Sequence, residues 1–418
     1  MKRSTPRSTM HTTIRLAAPR LAAMLPVVLI ATGAQGQGGG HTSAPPPVTA
    51  AAAAAPSPAA TDWQFGAVLD LASTSRPLAL GGRDQGLQLG HSDLSASGPL
   101  GRHLRAQLNA VVATHDGRAE AALEEAWIET RSLPPGLSAR AGRFSSQIGQ
   151  LNAQHPHADD FVERPLLYRA FLGGHWYDDG LRLNITLPTG LYWMLGAEAF
   201  RGRQLVREAE SPVGGAGAFT LATKVGGDLG RSSSWQLGLA WLKNRRTAAQ
   251  HDEHADEDGA AHDHGHDHAH GHHHGAAFGG RHLWLLDATW KWAPGGNNRQ
   301  QQLRVGFEAA RVSGINAHAT GGERHEAQSL HLVWRFNPHW EVGTRLDRLR
   351  VAVPHGDHFH PGRLDEQALM LAWKPSHLQS LRLQATRQSG AQGIESPARR
   401  SLALQYVLAF GAHGAHAF

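Results

Sequence analysis

The chain has 418 residues, no cysteine, and 40 Lys and Arg against 35 Asp and Glu, a formal charge of +5 with histidine neutral. Its length suits one large domain or two or three smaller ones, and it can carry no disulfide, thiolate metal site, cysteine nucleophile or lipid-bearing cysteine. Only 41% of residues are hydrophobic and no run of about 18 apolar residues occurs beyond the N-terminal region, which excludes helical membrane spans; the basic residues are dispersed, which argues against nucleic acid as a partner.

Residues 1–36 read as a secretory signal peptide. Lys2, Arg3, Arg7, Arg15 and Arg20 precede an apolar stretch from Leu21 that closes on the small residues Ala34-Gln35-Gly36. Pro26 and the shortness of the stretch argue against a transmembrane anchor. Residues 37–62, rich in Ala, Pro and Gly, read as a periplasmic linker with too little apolar surface to fold.

From Trp63 to the end the dominant pattern has period two. Trp63, Phe65, Ala67, Leu69 and Leu71 form one series; Leu181, Leu183, Ile185 and Leu187, set against Arg182, Asn184 and Thr186, form another; Leu330, Leu332, Trp334 and Phe336 repeat it. Such alternation places one apolar and one polar face on each strand. Strands are expected at 63–71, 86–97, 103–114, 121–131, 137–145, 181–187, 192–201, 216–229, 233–244, 281–292, 301–313, 327–335, 339–350, 365–373, 379–388 and 400–410. That makes about 16, with a range of 14 to 18.

The in-between positions include charged side chains suited to a water-filled lumen, of which Arg143, Arg304, Glu341, Arg345, Asp347 and Arg382 are the pore-lining candidates. Tryptophans gather near strand ends, as the aromatic girdles of a membrane barrel do. Connections alternate long and short, the long ones near 72–85, 146–180, 202–215, 245–280, 314–326, 351–364 and 389–399. Short periplasmic turns opposite longer outer loops, with an even strand number, define an all-β transmembrane antiparallel barrel of porin type in the bacterial outer membrane, spanning 63–418. The alternating strand Leu402, Leu404, Tyr406, Leu408, Phe410 and the terminal Phe418 resemble the signal read by the barrel-assembly machinery, so that machinery and outer-membrane lipid are expected partners. The segment 144–180 is long enough to fold back into the lumen, the alternative being one more strand at Leu166–Gly174.

Histidine is concentrated in the expected outer loops. The loop 245–280 holds His251, His254, His262, His264, His266, His268, His270, His272, His273 and His274 among carboxylates. His155 and His157 lie in another loop, and His355, His358 and His360 in a third. Neutral imidazole suits Zn²⁺, Cu²⁺ and related ions, and repeated histidines on a mobile chain can gather several nitrogens around one ion. Binding should weaken below about pH 6 as imidazole protonates. The bland alternative is a solvated low-complexity insertion.

Gly142-Arg143-Phe144, the run Leu151 to Val162, the run Pro165 to Gly174 and the closing Gly411-Ala412-His413-Gly414-Ala415-His416 resemble a family of outer-membrane proteins labelled zinc-regulated TonB-dependent receptors. The resemblance implies a surface protein linked to zinc. It departs from the TonB-dependent part of that label, since no large plug precedes Trp63. The sequence therefore points to a porin-like channel that captures Zn²⁺ or another divalent transition metal on outer-loop histidines and admits it to the periplasm. The alternatives are a general or anion-selective porin, or a surface metal-binding protein without transport. A homotrimer is suggested by analogy with porins alone. No catalytic arrangement is found, and no Gly-x-Ser-x-Gly elbow is present.

Overall fold

The structure is a computed structural model that describes residues 63–115, 117–206, 215–246, 275–320, 322–355 and 357–411. The expected signal peptide, the linker and the ten histidines from His251 to His274 lie outside the described residues.

The first strands are β1 (Gln64–Thr74), β2 (Gly86–Leu89), β3 (Ser92–Leu100), β4 (Leu104–His115), β5 (Arg118–Thr130), β6 (Leu137–Ser145), β7 (Tyr177–Thr186) and β8 (Tyr192–Phe200). They are followed by β9 (Ala218–Leu229), β10 (Ser233–Asn244), β11 (His282–Trp292), β12 (Gln302–Ser313), β13 (Arg324–Asn337), β14 (Trp340–His355), β15 (His358–Ser376), β16 (Gln379–Gln392) and β17 (Arg400–Gly411). From β3 to β17 each strand pairs antiparallel with the next in sequence, and β1 pairs with β17 on one side and with β2 and β3 on the other, which closes the sheet. Because β2 and β3 are successive halves of one strand against β1, the result is a closed barrel of 16 strands.

Strand parity sorts the side chains. Leu181, Leu183, Leu237, Leu239, Leu330, Leu332, Leu402 and Leu404 are exposed on the outward face, whereas Arg182, Gln236, Ser329 and Gln405 at alternate positions of the same strands are buried inside. So broad an apolar exterior is a surface for lipid, and it places the barrel in the outer membrane. Trp63, Trp193, Trp292, Trp334, Trp340 and Trp373 stand outward near the short-turn end, and Trp284 stands outward near the other. On β11, Trp284 and Trp292 are eight residues apart. At about 3.3 Å per residue and a tilt of about 40° they bracket about 20 Å, close to the apolar height of such barrels.

The residues between β6 and β7 fold into the barrel, as the length of that segment suggests. The alternative of a strand at Leu166–Gly174 is overturned: Leu166–Phe171 form the short helix α1, every residue of which is buried. Pro165 sits just before it, Leu-Leu-Tyr-Arg-Ala-Phe contains no β-branched residue, and Gly173 and Gly174 follow with φ of 62° and 84°. These are start, interior and stop signals for a helix, and a period-two reading does not register them. Leu166, Leu167, Phe171, Leu172 and Trp176 form one apolar cluster with Phe144, Phe200, Leu283, Leu285, Val312, Leu349 and Leu364 on the inner wall. Asn152 closes the neck of the segment: its Nδ2 donates to the carbonyls of Ser146 (2.8 Å) and Trp176 (2.7 Å), and its Oδ1 accepts from the Trp176 N–H (2.8 Å).

The long loop expected at 351–364 is also corrected. β14 and β15 run through it and meet at a tight turn, with His355 opposite His358. Val351 and Val353 on β14 and Phe359 on β15 continue the ladder instead of breaking it.

Candidate metal centre in the lumen

Two irregularities in the wall create the site. On the β1 side, Leu71 pairs with Leu89 and Val68 with Asp93, so four steps along the second strand oppose three along β1. One residue is therefore extra, and the bulge falls at Gly90-His91-Ser92. Asp70 holds it: its backbone carbonyl accepts from the Gly90 N–H (2.7 Å) and its Oδ2 from the His91 N–H (3.2 Å). A Cβ at Gly90 would lie 2.3 Å from Asp70 Oδ2, which is why glycine stands there. The second bulge lies on β5, where Asn109 pairs with Glu125 and the next residue, Ala110, pairs with Leu123. Glu124 is the unpaired extra residue, and both Glu124 and Glu125 are buried.

His91, Asp93, Glu124 and Glu125 thus come from the wall. They meet His155, His157 and His175 from the inward segment. His91 Nε2 lies 3.1 Å from Asp93 Oδ1, 3.2 Å from Glu124 Oε2 and 3.4 Å from His155 Nδ1. His157 Nδ1 lies 3.1 Å from Asp93 Oδ2, and His175 Nδ1 lies 3.4 Å from Glu124 Oε2. Two triads share His91: His91, Asp93 and His155, and His91, Glu124 and His175, each with its ligand atoms within 4.8 Å of one another.

The donor set fits a divalent transition metal. Arms of about 2.0–2.1 Å in a tetrahedron put ligand atoms about 3.3–3.4 Å apart, and imidazole with carboxylate is a usual set for zinc. The separations above cluster at that edge length. Asp93 Oδ1, Glu124 Oε2 and His175 Nδ1 are buried yet make no hydrogen bond of good geometry, although their neighbours are close. Buried polar atoms ordinarily have partners; atoms that converge without bonding one another are disposed as ligands are around a cation. Ser145 Oγ lies 2.9 Å from His175 Nε2, an outer contact that orients the ring.

Burial depresses the His157 and His175 pKa values below that of free imidazole, despite Asp93 and Glu124 beside them. At His155 burial acts in the same direction, but the carboxylates of Glu124, Asp93 and Glu125 outweigh it and raise the pKa. Coordination requires the neutral ring, so metal and proton compete for His155.

Of the expected metal residues, the structure therefore brings together His155 and His157, inside the lumen and not in an outer loop. The reason is the apolar run behind them, which draws the whole segment inward. His355, His358 and His360 stay at the far turn of β14 and β15, where His358 is exposed and pairs with Asp357 at 2.7 Å. The sequence reading missed His91, Asp93, Glu124 and His175 as ligands. The adjacent Glu124-Glu125 pair, which violates alternation, was the available signal.

The pore-lining candidates divide. Arg143 pairs with Asp179 at 2.8 Å, and Asp179 shares its face of β7 with the exposed Leu181 and Leu183. Arg143 thus stands on the outward face, while Phe144 beside it is buried on the lumenal side, so that taking the apolar side chain as the outward one reverses the parity. Arg304, Glu341, Arg345, Asp347 and Arg382 all point inward. Arg345 binds Asp347 (2.7 Å), Glu366 (2.7 Å) and the carbonyl of Glu163, while Arg169 of α1 binds Glu366 at 2.5 Å. Arg382 donates to the His157 carbonyl at 3.2 Å. Toward the short-turn end Arg335, Lys374 and Arg304 converge on Glu341 at 2.5, 2.8 and 3.5 Å, and Arg304 also binds Asp160 at 2.5 Å. With Lys291 opposite Arg304, this is an arc in which cations outnumber carboxylates.

No protein-family model matches the chain. An uncharacterized protein from Aquifex aeolicus (strain VF5) is 42% identical over 80 residues, 19% of this chain, and the match spans 17% of that protein's length. Among solved structures the barrel resembles OprB of Pseudomonas putida (TM-score 0.52, 11% identity, 84% of this chain and 94% of that one). It also resembles an anion-selective porin from Comamonas acidovorans (TM-score 0.51, 11% identity, 84% and 99%) and the outer-membrane channel DcaP of Acinetobacter baumannii (TM-score 0.50, 11% identity, 84% and 97%). The likeness is one of fold. The zinc-regulated receptor label gains no support from it, and among the described residues no plug domain is present; the lumen holds the segment between β6 and β7 instead.

Proposed function

We propose that this protein is a passive, porin-type outer-membrane channel that takes a divalent transition metal, zinc among them, on the lumenal histidine and carboxylate cluster and releases it toward the periplasm. The observation that carries the metal reading is the convergence of His91, His155, His157 and His175 with Asp93 and Glu124 inside a closed barrel. Conduction needs a site that attracts the ion yet offers more than one set of ligands for its departure, and two triads sharing His91 supply that. The loop 245–280 would raise the local metal concentration at the outer mouth. Under zinc limitation, cells whose protein lacks residues 245–280 are expected to accumulate less zinc than cells with the intact chain. Cells carrying His91→Ala should accumulate less again. Uptake unchanged by both variants, with the barrel assembled, would eliminate metal passage and leave a binding protein or a general porin.

A second reading, an anion-selective porin, is favoured by the basic arc of Lys291, Arg304, Arg335 and Lys374 around Glu341 and Asp160. Fixed positive charge in a low-dielectric lumen raises the local anion concentration. In a KCl gradient across a planar bilayer the reversal potential should then carry the anion sign, and the double variant Arg335→Gln, Lys374→Gln should move it toward zero. A cation-sign potential in the unaltered protein would discard this reading.

A further inference from the structure

The inward segment has two limbs held in different ways. The α1 limb is anchored without any ion: Leu166, Leu167, Tyr168 and Phe171 are at most 2% exposed. Tyr168 Oη donates to Glu308, and Arg169 binds Glu366. The histidine limb, residues 151–158, is less enclosed, with Ala153 exposed and Gln154, His155, Pro156 and Ala158 half-buried. Its backbone bonds are turns within the limb, such as Gln154 N–H to Leu151 O and Ala158 N–H to His155 O, and bonds to the rest of the inward segment, from the Leu151 N–H to Tyr168 Oη and from Arg164 to the Gln154 carbonyl. Toward the wall it reaches chiefly through two imidazoles, His155 against His91, Asn109, Asp93 and Glu124, and His157 against Asp93. Arg382 adds one bond to the His157 carbonyl.

We infer that a divalent transition metal held by His91, Asp93 and His155 acts as a clamp that joins the histidine limb of the inward segment to the wall at β3, so that metal occupancy sets how far the limb closes the lumen. The inference rests on the metal reading above. Each triad mixes the two sides: His91 and Asp93 or Glu124 belong to the wall, His155 or His175 to the segment. An ion in the first triad therefore bridges the wall and the histidine limb, whereas one in the second ties the wall to His175, beyond α1. No residue of α1 is in the ligand set, and its apolar contacts and the Arg169 pair with Glu366 hold it without an ion. Metal should accordingly change the mobility of one limb and leave the other as it was.

Amide hydrogen exchange on the intact barrel in detergent, with Zn²⁺ or with chelator, separates the limbs. Zn²⁺ is expected to slow exchange in 151–158 at least tenfold while leaving 166–171 unchanged, and His91→Ala, on the wall side, should abolish the slowing. Bound zinc is measured on the same samples and on protein lacking residues 245–280, so that zinc held by the loop histidines is not counted. Zinc retained with equal exchange in 151–158 would overturn the clamp and leave the binding site standing. No bound zinc would overturn both. Equal slowing across both limbs would overturn the clamp as well, since it would report general stabilisation of the barrel. Because the comparison with and without metal needs no variant, a failure of His91→Ala to assemble does not prevent the test.

Discussion

Replacing His91 with alanine is expected to weaken Zn²⁺ binding by the barrel on the order of 100-fold or more, the largest loss of any single ligand. Outer-sphere partners of a metal site commonly cost 10- to 100-fold when removed, and a direct ligand should cost at least as much, about 2.7 kcal/mol. His91 is singled out because it is the one residue in both triads. His155→Ala should cost less, because the triad of His91, Glu124 and His175 survives it. His358→Ala, at the exposed far turn, should have no effect on the lumenal site. The comparison is best made on protein that also lacks residues 245–280, so that loop histidines do not mask the change. Equilibrium dialysis of zinc, with the heat-dependent electrophoretic shift of an assembled barrel as a control, decides the matter. Equal losses for His91 and His358 would show that the cluster is not the site.

The second large effect concerns Glu366. Its carboxylate is fully buried and accepts from Arg169 of α1 (2.5 Å), from Arg345 of β14 (2.7 Å) and from Gln388 (2.7 Å). Glu366→Ala would leave Arg169 and Arg345 enclosed with one acidic partner, Asp347, between them. Removing one member of a buried ion pair typically costs about 3–5 kcal/mol, because the remaining charge has lost both water and partner. Glu366→Gln, which keeps an acceptor oxygen, should cost roughly half of that. Urea unfolding of the barrel from lipid vesicles measures both. Because Arg169 is the ionic anchor of the helix limb, Glu366→Ala should also loosen α1. A cost below about 1 kcal/mol would mean that water or a shifted side chain replaces the carboxylate.

The architecture of this protein is written in the sequence because a membrane barrel is governed by a local rule. Each strand must show lipid an apolar face while its backbone pairs with both neighbours, so period-two alternation such as Leu181, Leu183, Ile185 recurs from strand to strand and can be read without knowing any contact. The even strand number, the alternation of long and short connections and the tryptophan girdles go with that rule. It becomes unreliable where the rule is suspended. At Gly90-His91-Ser92 and at Glu124 one extra residue changes the parity, and this re-aims side chains that an alternating count sends to the wrong face or does not single out. Arg143 was misplaced because the apolar Phe144 beside it points into the lumen, and the 351–364 hairpin because histidine, proline and glycine look like loop residues when no ladder is in view.

The sequence by itself determined that this is an exported barrel with a histidine-rich character. Only the tertiary structure decided which histidines meet. His91, His155 and His175 are brought together by a bulge in one wall and by a segment held against the opposite one through Leu166, Leu167 and Phe171. Nothing in their spacing reports the meeting, since it depends on where the apolar side of α1 is buried, a choice made by packing over distances of the whole chain.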